Sequence, residues 1–110
     1  MPIINISPEQ LQKQLSENPT LQVIDVRTIE EWAGLGHIPQ AKLIPLHELP
    51  YAYRMIDSQQ SVVVTCQHGV RSLDACYFLE AQGYDTLYNL TEGMSTWPGP
   101  VEYGSDDEKM

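Results

Sequence analysis

No stretch of the chain approaches the roughly 20 consecutive apolar residues that a membrane-spanning helix needs, so no membrane partner is expected. Basic residues are scarce as well. Six Lys and Arg stand against 15 Asp and Glu, a formal net charge of −9. Without a basic field there is nothing to displace counterions from phosphates, which argues against a nucleic-acid partner. Only two cysteines occur, Cys66 and Cys76, and the three histidines are scattered with no Cys-x-x-Cys or His-x-x-x-His spacing. A zinc site is therefore not expected. The first residues, Met1-Pro2-Ile3-Ile4-Asn5, lack the basic flank and long apolar core of a signal peptide. A cytoplasmic location is the resulting expectation, and with it free thiols rather than a disulfide.

What is present fits one compact unit. A chain of 110 residues suits a single domain, and 42% hydrophobic residues are enough to fill a core. The domain is placed at residues 1–103. Residues 104–110, with Asp106, Asp107 and Glu108, read as a solvated, disordered acidic tail. An acidic molecule gives a small anion no long-range attraction, so any anion site must be local, made of backbone amides and one or two cations. No internal repeat, linker or low-complexity segment is visible.

Strand and helix signals alternate along the chain. Ile3 to Ile6 is short and β-rich. Ser7 then reads as an N-cap, with Pro8 at the first helical position and Gln10 completing a capping box. Leu11 and Leu15, four apart, share the buried face of a helix that runs to about Glu17 and ends at Asn18-Pro19. Leu21 to Val26 reads as a strand buried on both faces. Thr28 and Glu31 form a second capping box, opening a short helix that stops near Gly34 and Gly36. Ala41 to Pro45 is extended, and His47 to Ile56 reads as one helix with Pro50 in its first turn. Ser61 to Thr65 is the strongest strand, β-branched and bounded by polar turns. A helix from Val70 to Gln82 follows, its apolar face marked by Leu73, Cys76, Tyr77 and Leu79 with Glu80 beside it, and closed by Gly83. Thr86 to Leu90 is the last strand, and Gly93 to Gly99, with Trp97-Pro98, folds back over an apolar edge. This alternation predicts an α/β domain with a mainly parallel sheet, whose ligands sit beyond the carboxyl ends of the strands.

Beyond the strongest strand lies Cys66-Gln67-His68-Gly69-Val70-Arg71-Ser72, leading into a helix. The amides of such a loop converge on one point, and the helix dipole adds partial positive charge there. A sulfur placed at that point is favoured as an anion and is nucleophilic. Gly69 supplies a backbone conformation most side chains forbid, or room for close approach. His68 and Arg71 are the nearby side chains able to add positive charge, and Arg71 can offer an anion a planar fork. Plainer roles stay open: Arg71 pairing with Asp74, His68 merely facing solvent, and Cys76 filling the core. Four residues separate Cys66 from Arg71. Cysteine-dependent phosphatases place five there, giving a wider cradle for a tetrahedral phosphate. The tighter loop suits a smaller anion, such as the terminal sulfur of a persulfide.

That loop closely resembles the active-site loop of single-domain rhodanese-like sulfurtransferases. Asp25-Val26-Arg27 followed by Glu31-Trp32, then Gly36-His37-Ile38-Pro39 with Ala41, resemble the family's upstream signatures. Leu87 to Leu90, Gly93 and Trp97 resemble its C-terminal one, so the likeness covers about Ile3 to Pro100. Gln40 stands where the family often has glycine, the turn from Glu31 to Gly36 is one residue longer than usual, and Glu92 replaces the first of a common Gly-Gly pair. The resemblance implies an α/β rhodanese-like domain with a central, mainly parallel five-stranded sheet flanked by helices on both faces. It implies ping-pong transfer of a sulfane sulfur through a Cys66 persulfide, with Gln67, His68, Gly69, Val70 and Arg71 binding substrate. The donor would be thiosulfate or another small anionic persulfide source. The acceptor would be cyanide in an assay, or a cellular thiol or partner protein. A monomer without metal or organic cofactor is expected. Asp25, Arg27 and Glu31 are assigned to the scaffold, with Arg27 and Glu31 forming an ion pair and Asp25 bonding nearby amides. His37 is assigned a structural hydrogen bond. The competing readings are a non-enzymatic sulfur-relay or binding module, a phosphatase or arsenate reductase, and an interaction domain using Tyr51-Ala52-Tyr53 and Trp97.

Overall fold

Strand β4 (Val62–Thr65) organises the molecule: each of its four residues is fully buried, as a β-branched run flanked by other strands requires. The structure, a computed structural model, describes residues 3–104. The other strands are β1 (Ile3–Ile6), β2 (Gln22–Asp25), β3 (Lys42–Leu43) and β5 (Leu87–Leu90). They form one sheet in the order β1-β5-β4-β2-β3, with every pairing parallel. Parallel pairing forces each connection to cross a face of the sheet. The α-helices of those crossings are α1 (Pro8–Glu17), α2 (Ile29–Leu35), α3 (Leu49–Ala52) and α4 (Val70–Ala81). The fold is thus the α/β layering that the sequence pattern predicts, with the five-stranded sheet that the family resemblance implies. Among the described residues no helix is long and apolar enough to cross a membrane. The acidic segment 105–110 and Met1-Pro2 lie outside the described residues; the Gly104 amide donates to the Ala33 carbonyl at 3.0 Å.

The period-2 alternation of the strands divides the core into two. Val62 and Val64 of β4 and Ile24 of β2 pack with Ala75, Cys76 and Leu79 of α4 and with Leu49 and Ile56. Val63 and Val23 point the other way, against Leu11 and Leu15 of α1, with Trp97 and Met94 at the edge. Fully burying an aliphatic side chain of this size stabilises by about 1.5–3 kcal/mol. Helices on both faces therefore clamp β4 and fix where its carboxyl end points.

Both capping boxes form as the local sequence dictates. Ser7 Oγ accepts from the Gln10 amide at 3.1 Å and Gln10 Oε1 accepts from the Ser7 amide at 2.8 Å. Thr28 and Glu31 repeat the arrangement at the start of α2. Gly36 ends α2 with a φ of +91°, a region that favours glycine.

Two expectations need correction. The single helix from His47 to Ile56 is instead a 3-10 turn at Leu46–Glu48, one α turn at Leu49–Ala52 and another 3-10 turn at Tyr53–Met55. Pro50 lacks the amide that a continuous helix would bond to the Leu46 carbonyl, and no side chain caps α3. On α4, Tyr77 faces solvent rather than the core, while Ser72, Ala75, Cys76 and Leu79 are buried and Phe78 packs at the edge. The buried stripe follows the sheet contact and not the most apolar reading of the helix. Of the aromatics considered for a contact surface, Tyr51 is exposed. Tyr53 packs edge-on to Phe78 with ring centroids 5.4 Å apart, and Trp97 is half-buried.

Candidate active site

The register of the sheet brings four strand ends together. Asp25 pairs with Thr65, Val64 with Asn89, and Asn89 with Asn5. Cys66 follows β4 at the centre of that edge, where the chain turns through Gln67, His68 and Gly69 into α4. Gly69 takes a φ of +91°, and a Cβ there would lie 3.1 Å from the Glu92 amide nitrogen. The turn therefore needs glycine, as its place in the loop predicts.

The Cys66 sulfur sits at the focus of this turn. Its Sγ accepts from the Gly69 amide at 3.1 Å and from the Ser72 amide at 3.2 Å. The thiol also lies 3.2 Å from Ser72 Oγ. These groups stand at the N-terminus of a 12-residue helix, where the dipole adds to the pull on negative charge. Cys66 is only 1% exposed, whereas His68 and Val70 face solvent and Gln67 is half-buried. The sulfur therefore lies beneath the surface, with these residues at the rim.

A second segment holds the loop from behind. After β5 the chain makes a 3-10 turn at Gly93–Thr96, whose amides are free at its N-terminus. The Met94 amide donates to the Cys66 carbonyl at 2.8 Å and the Ser95 amide to the Gln67 carbonyl at 3.0 Å. With those carbonyls turned outward, the loop amides are left to face the sulfur. A Cβ on Gly93 would fall 2.2 Å from the Cys66 carbonyl oxygen, so this support works only with glycine.

The charged residues at the site are paired differently from the sequence expectation. Arg27 does not pair with Glu31. Buried beside β2, it bonds Asp25 through Nε and Nη2, the closest approach being 2.8 Å, and reaches the Gly36 carbonyl with Nη2 and Gln67 Oε1 with Nη1. Asp25 also accepts from the Arg27 amide, as anticipated. Glu31 instead takes Arg71 in a bidentate pair, at 2.7 Å to Nη1 and 2.8 Å to Nη2. Asp74 plays no part in that pair. The Arg71 guanidinium holds the Glu31 carboxyl down at about 2, with the Thr28 amide and hydroxyl adding to the effect against partial burial. Glu31, then the Cys66 sulfur and Asp25, raise Arg71 in turn, against its own desolvation. Neither arginine offers an unengaged guanidinium to an incoming anion. A groove of about 280 Å³ runs beside them, lined by Val26, Arg27, Thr28, Pro45, Leu46, His47 and Arg71.

His37 is buried, stacks on Trp32 with centroids 3.5 Å apart, and has Nδ1 2.9 Å from the Trp32 carbonyl, matching the structural role foreseen for it. Cys76 is buried against β4 and β5. Desolvation first, and the neighbouring Cys66 second, push its thiol up to about 12, so it stays protonated and inert, as the core-filling reading has it.

Two groups around the sulfur escaped the sequence reading. Ser72 Oγ donates a short hydrogen bond to Asn89 Oδ1, and Asn89 Nδ2 donates to Asn5 Oδ1 at 3.1 Å and to the Gly69 carbonyl at 3.4 Å. The available signal was Asn89 itself, a polar residue in an otherwise apolar strand. Its partner on another element could not be read from spacing.

Comparison with known proteins identifies the family and the fold. The family model described as rhodanese-like domain matches residues 7–99. A sulfurtransferase from Allochromatium vinosum is 36% identical over 92 residues, covering 84% of this chain and 85% of that protein. The putative sulfurtransferase YtwF of Bacillus subtilis is 36% identical over 102 residues, covering 93% and 97%. The crystal structure of a rhodanese-like domain protein from Staphylococcus aureus superposes with a TM-score of 0.84 at 35% identity, covering 93% of this chain and 99% of that one. With its all-parallel sheet, its amide-ringed cysteine and these relatives, the chain belongs to the rhodanese-like family of sulfurtransferases.

Proposed function

We propose that the protein transfers sulfane sulfur through a persulfide on Cys66. The observation that carries this reading is the Cys66 sulfur held by the Gly69 and Ser72 amides at the start of α4. With thiosulfate, the Cys66 thiolate attacks the outer sulfur, the S–S bond of the donor breaks with its electron pair, and sulfite leaves. The product is the persulfide anion Cys66–S–S⁻, whose outer sulfur takes up hydrogen bonds from the loop amides. Cyanide or a thiolate then attacks that outer sulfur, and the electron pair returns to Cys66 as thiolate. Gln67, His68, Gly69, Val70 and Arg71 line the approach. The protein acts as a monomer, with no metal or organic cofactor in the cycle.

Thiosulfate is a poor match for this site. Arg71 and Arg27 are both held by carboxylates, and the net charge of −9 repels a dianion. The preferred donor is a low-molecular-weight or protein persulfide whose thin terminal sulfur fits past the rim. A thiosulfate KM well below about 1 mM sinks that preference.

Intact mass after incubation with thiosulfate or a persulfide, on wild type and Cys66→Ala, tests the reaction. Wild type gains one sulfur and loses it to cyanide as thiocyanate; the variant gains none. A persulfide that forms but turns over only slowly identifies a sulfur-relay module. No gain from any donor removes the sulfurtransferase reading.

A further inference from the structure

The buried chain Cys66–Ser72–Asn89 carries more information than its hydrogen bonds do singly. A hydroxyl has one proton to donate. Ser72 gives that proton to Asn89 Oδ1, so towards Cys66, 3.2 Å away, it presents a lone pair. The orientation of Asn89 is set from behind, because the Gly69 carbonyl can only accept and therefore faces Nδ2. Cys66 and Ser72 are almost fully enclosed, and Asn89 is 5% exposed, so water has little room to replace any of these bonds.

We propose that Asn89 is a positioning residue that sets the charge state of Cys66 by holding the Ser72 hydroxyl in its acceptor orientation in the resting enzyme. With the Ser72 proton on Asn89, a lone pair meets the sulfur, which matches a thiol and opposes a thiolate. When the thiol proton leaves to a base in solvent, the hydroxyl rotates about its C–O bond and donates to the sulfur. The sulfur then has three donors, the Gly69 and Ser72 amides and the Ser72 hydroxyl. Asn89 Oδ1 loses its donor at that moment, which is the restraint it exerts. In the persulfide the charge lies on the outer sulfur and Cys66 Sγ has no proton to give, so no acceptor is needed there either. The hydroxyl is thus an acceptor only in the thiol state, and no covalent bond changes apart from the loss of the thiol proton.

Two charged or titratable side chains of α4, Arg71 and Cys76, interact electrostatically with the sulfur. Arg27, paired with Asp25 after β2, reaches the loop through Gln67, Glu31 of α2 acts through Arg71, and His68 is exposed on the loop itself. Every variant retains His68, so the variants are compared with one another.

The test rests on Cys66 being the nucleophile but does not require sulfur transfer. The rate of Cys66 alkylation by iodoacetamide is followed against pH, with the modified peptide identified by mass spectrometry to separate it from Cys76. Asn89→Leu frees the hydroxyl for the sulfur and moves the midpoint about one pH unit lower, roughly tenfold faster alkylation below the midpoint. Ser72→Ala removes the third donor and moves it about one unit higher. In the Ser72→Ala background, Asn89→Leu adds nothing, a result that a merely structural Asn89 does not produce. Asn89→Ala replaces Asn89→Leu if the latter does not fold. An Asn89 effect that persists without the Ser72 hydroxyl, or an unmoved midpoint in Ser72→Ala alone, overturns the proposal. Failure to form a persulfide in the mass measurement is a separate result, since alkylation reads the thiolate alone.

Discussion

Replacing Glu31 by Gln should make the protein less stable and, at the same time, better at using an anionic donor. Gln retains an oxygen to accept from the Thr28 amide, so the capping box of α2 survives and the change isolates the bond to Arg71. Holding the Glu31 carboxyl at about 2 instead of 4.5 corresponds at face value to about 3 kcal/mol. Part of that belongs to Thr28. The two side chains are also 24% and 36% exposed, so solvent screens the pair. About 1–2 kcal/mol remains for the bidentate pair at pH 7. A carboxyl lowered by folding stabilises above its unfolded value and ceases to do so as it is protonated in the folded state. The gap between wild type and variant should therefore be full above about pH 5 and close as pH falls from 4.5 towards 2. Urea unfolding across that range reads the gap, and high salt should narrow it. The released Arg71 guanidinium can then turn to an anion beside Cys66, lowering the thiosulfate KM by about 3–10-fold with kcat little changed. A stability gap that does not vary with pH, or a KM that stays or rises, refutes this account of why the site lacks a free cation.

Three further outcomes follow from the geometry. Gly93→Ala places a methyl 2.2 Å from the Cys66 carbonyl oxygen, so it should cost about 3 kcal/mol or more and slow persulfide formation about 100-fold; wild-type unfolding and rate would show that the 3-10 turn does not support the loop. Glu92 has a φ of +64°, so Glu92→Gly should relieve about 1 kcal/mol of backbone strain and raise Tm by about 4 °C in calorimetry, and a fall in Tm contradicts it. Arg27→Met leaves the buried Asp25 carboxylate without its partner and should destabilise by about 3–5 kcal/mol in urea, with a loss under about 1 kcal/mol counting against a buried ion pair.

Much of the molecule was legible in the linear order of residues because it depends on neighbours within one helical turn or one strand. The Ser7–Gln10 and Thr28–Glu31 boxes are contacts three residues apart, closed by the backbone geometry of a helix start. The β-branched run Val62 to Thr65, bounded by polar turns, favours a buried strand, and Gly69 allows the Cys66 to Ser72 segment after it to turn into a helix. The long helix misread over His47 to Ile56 shows the limit of such reasoning, since the cost of one absent amide at Pro50 depends on what else holds the segment.

Tertiary structure alone decided which polar groups meet. Glu31 and Arg71 are 40 residues apart, Ser72 and Asn89 are 17 apart, and Asn89 and Asn5 are 84 apart. Spacing made Arg27 and Glu31 look like partners, yet Arg27 turned to Asp25 two residues away and Glu31 to a different helix. A long charged side chain has several partners within reach in the sequence, and the sheet order determines which of them is enclosed with it. The residue types of the Cys66 loop were therefore written locally, while its electrostatics were set by the strands and helices that the fold brought beside it.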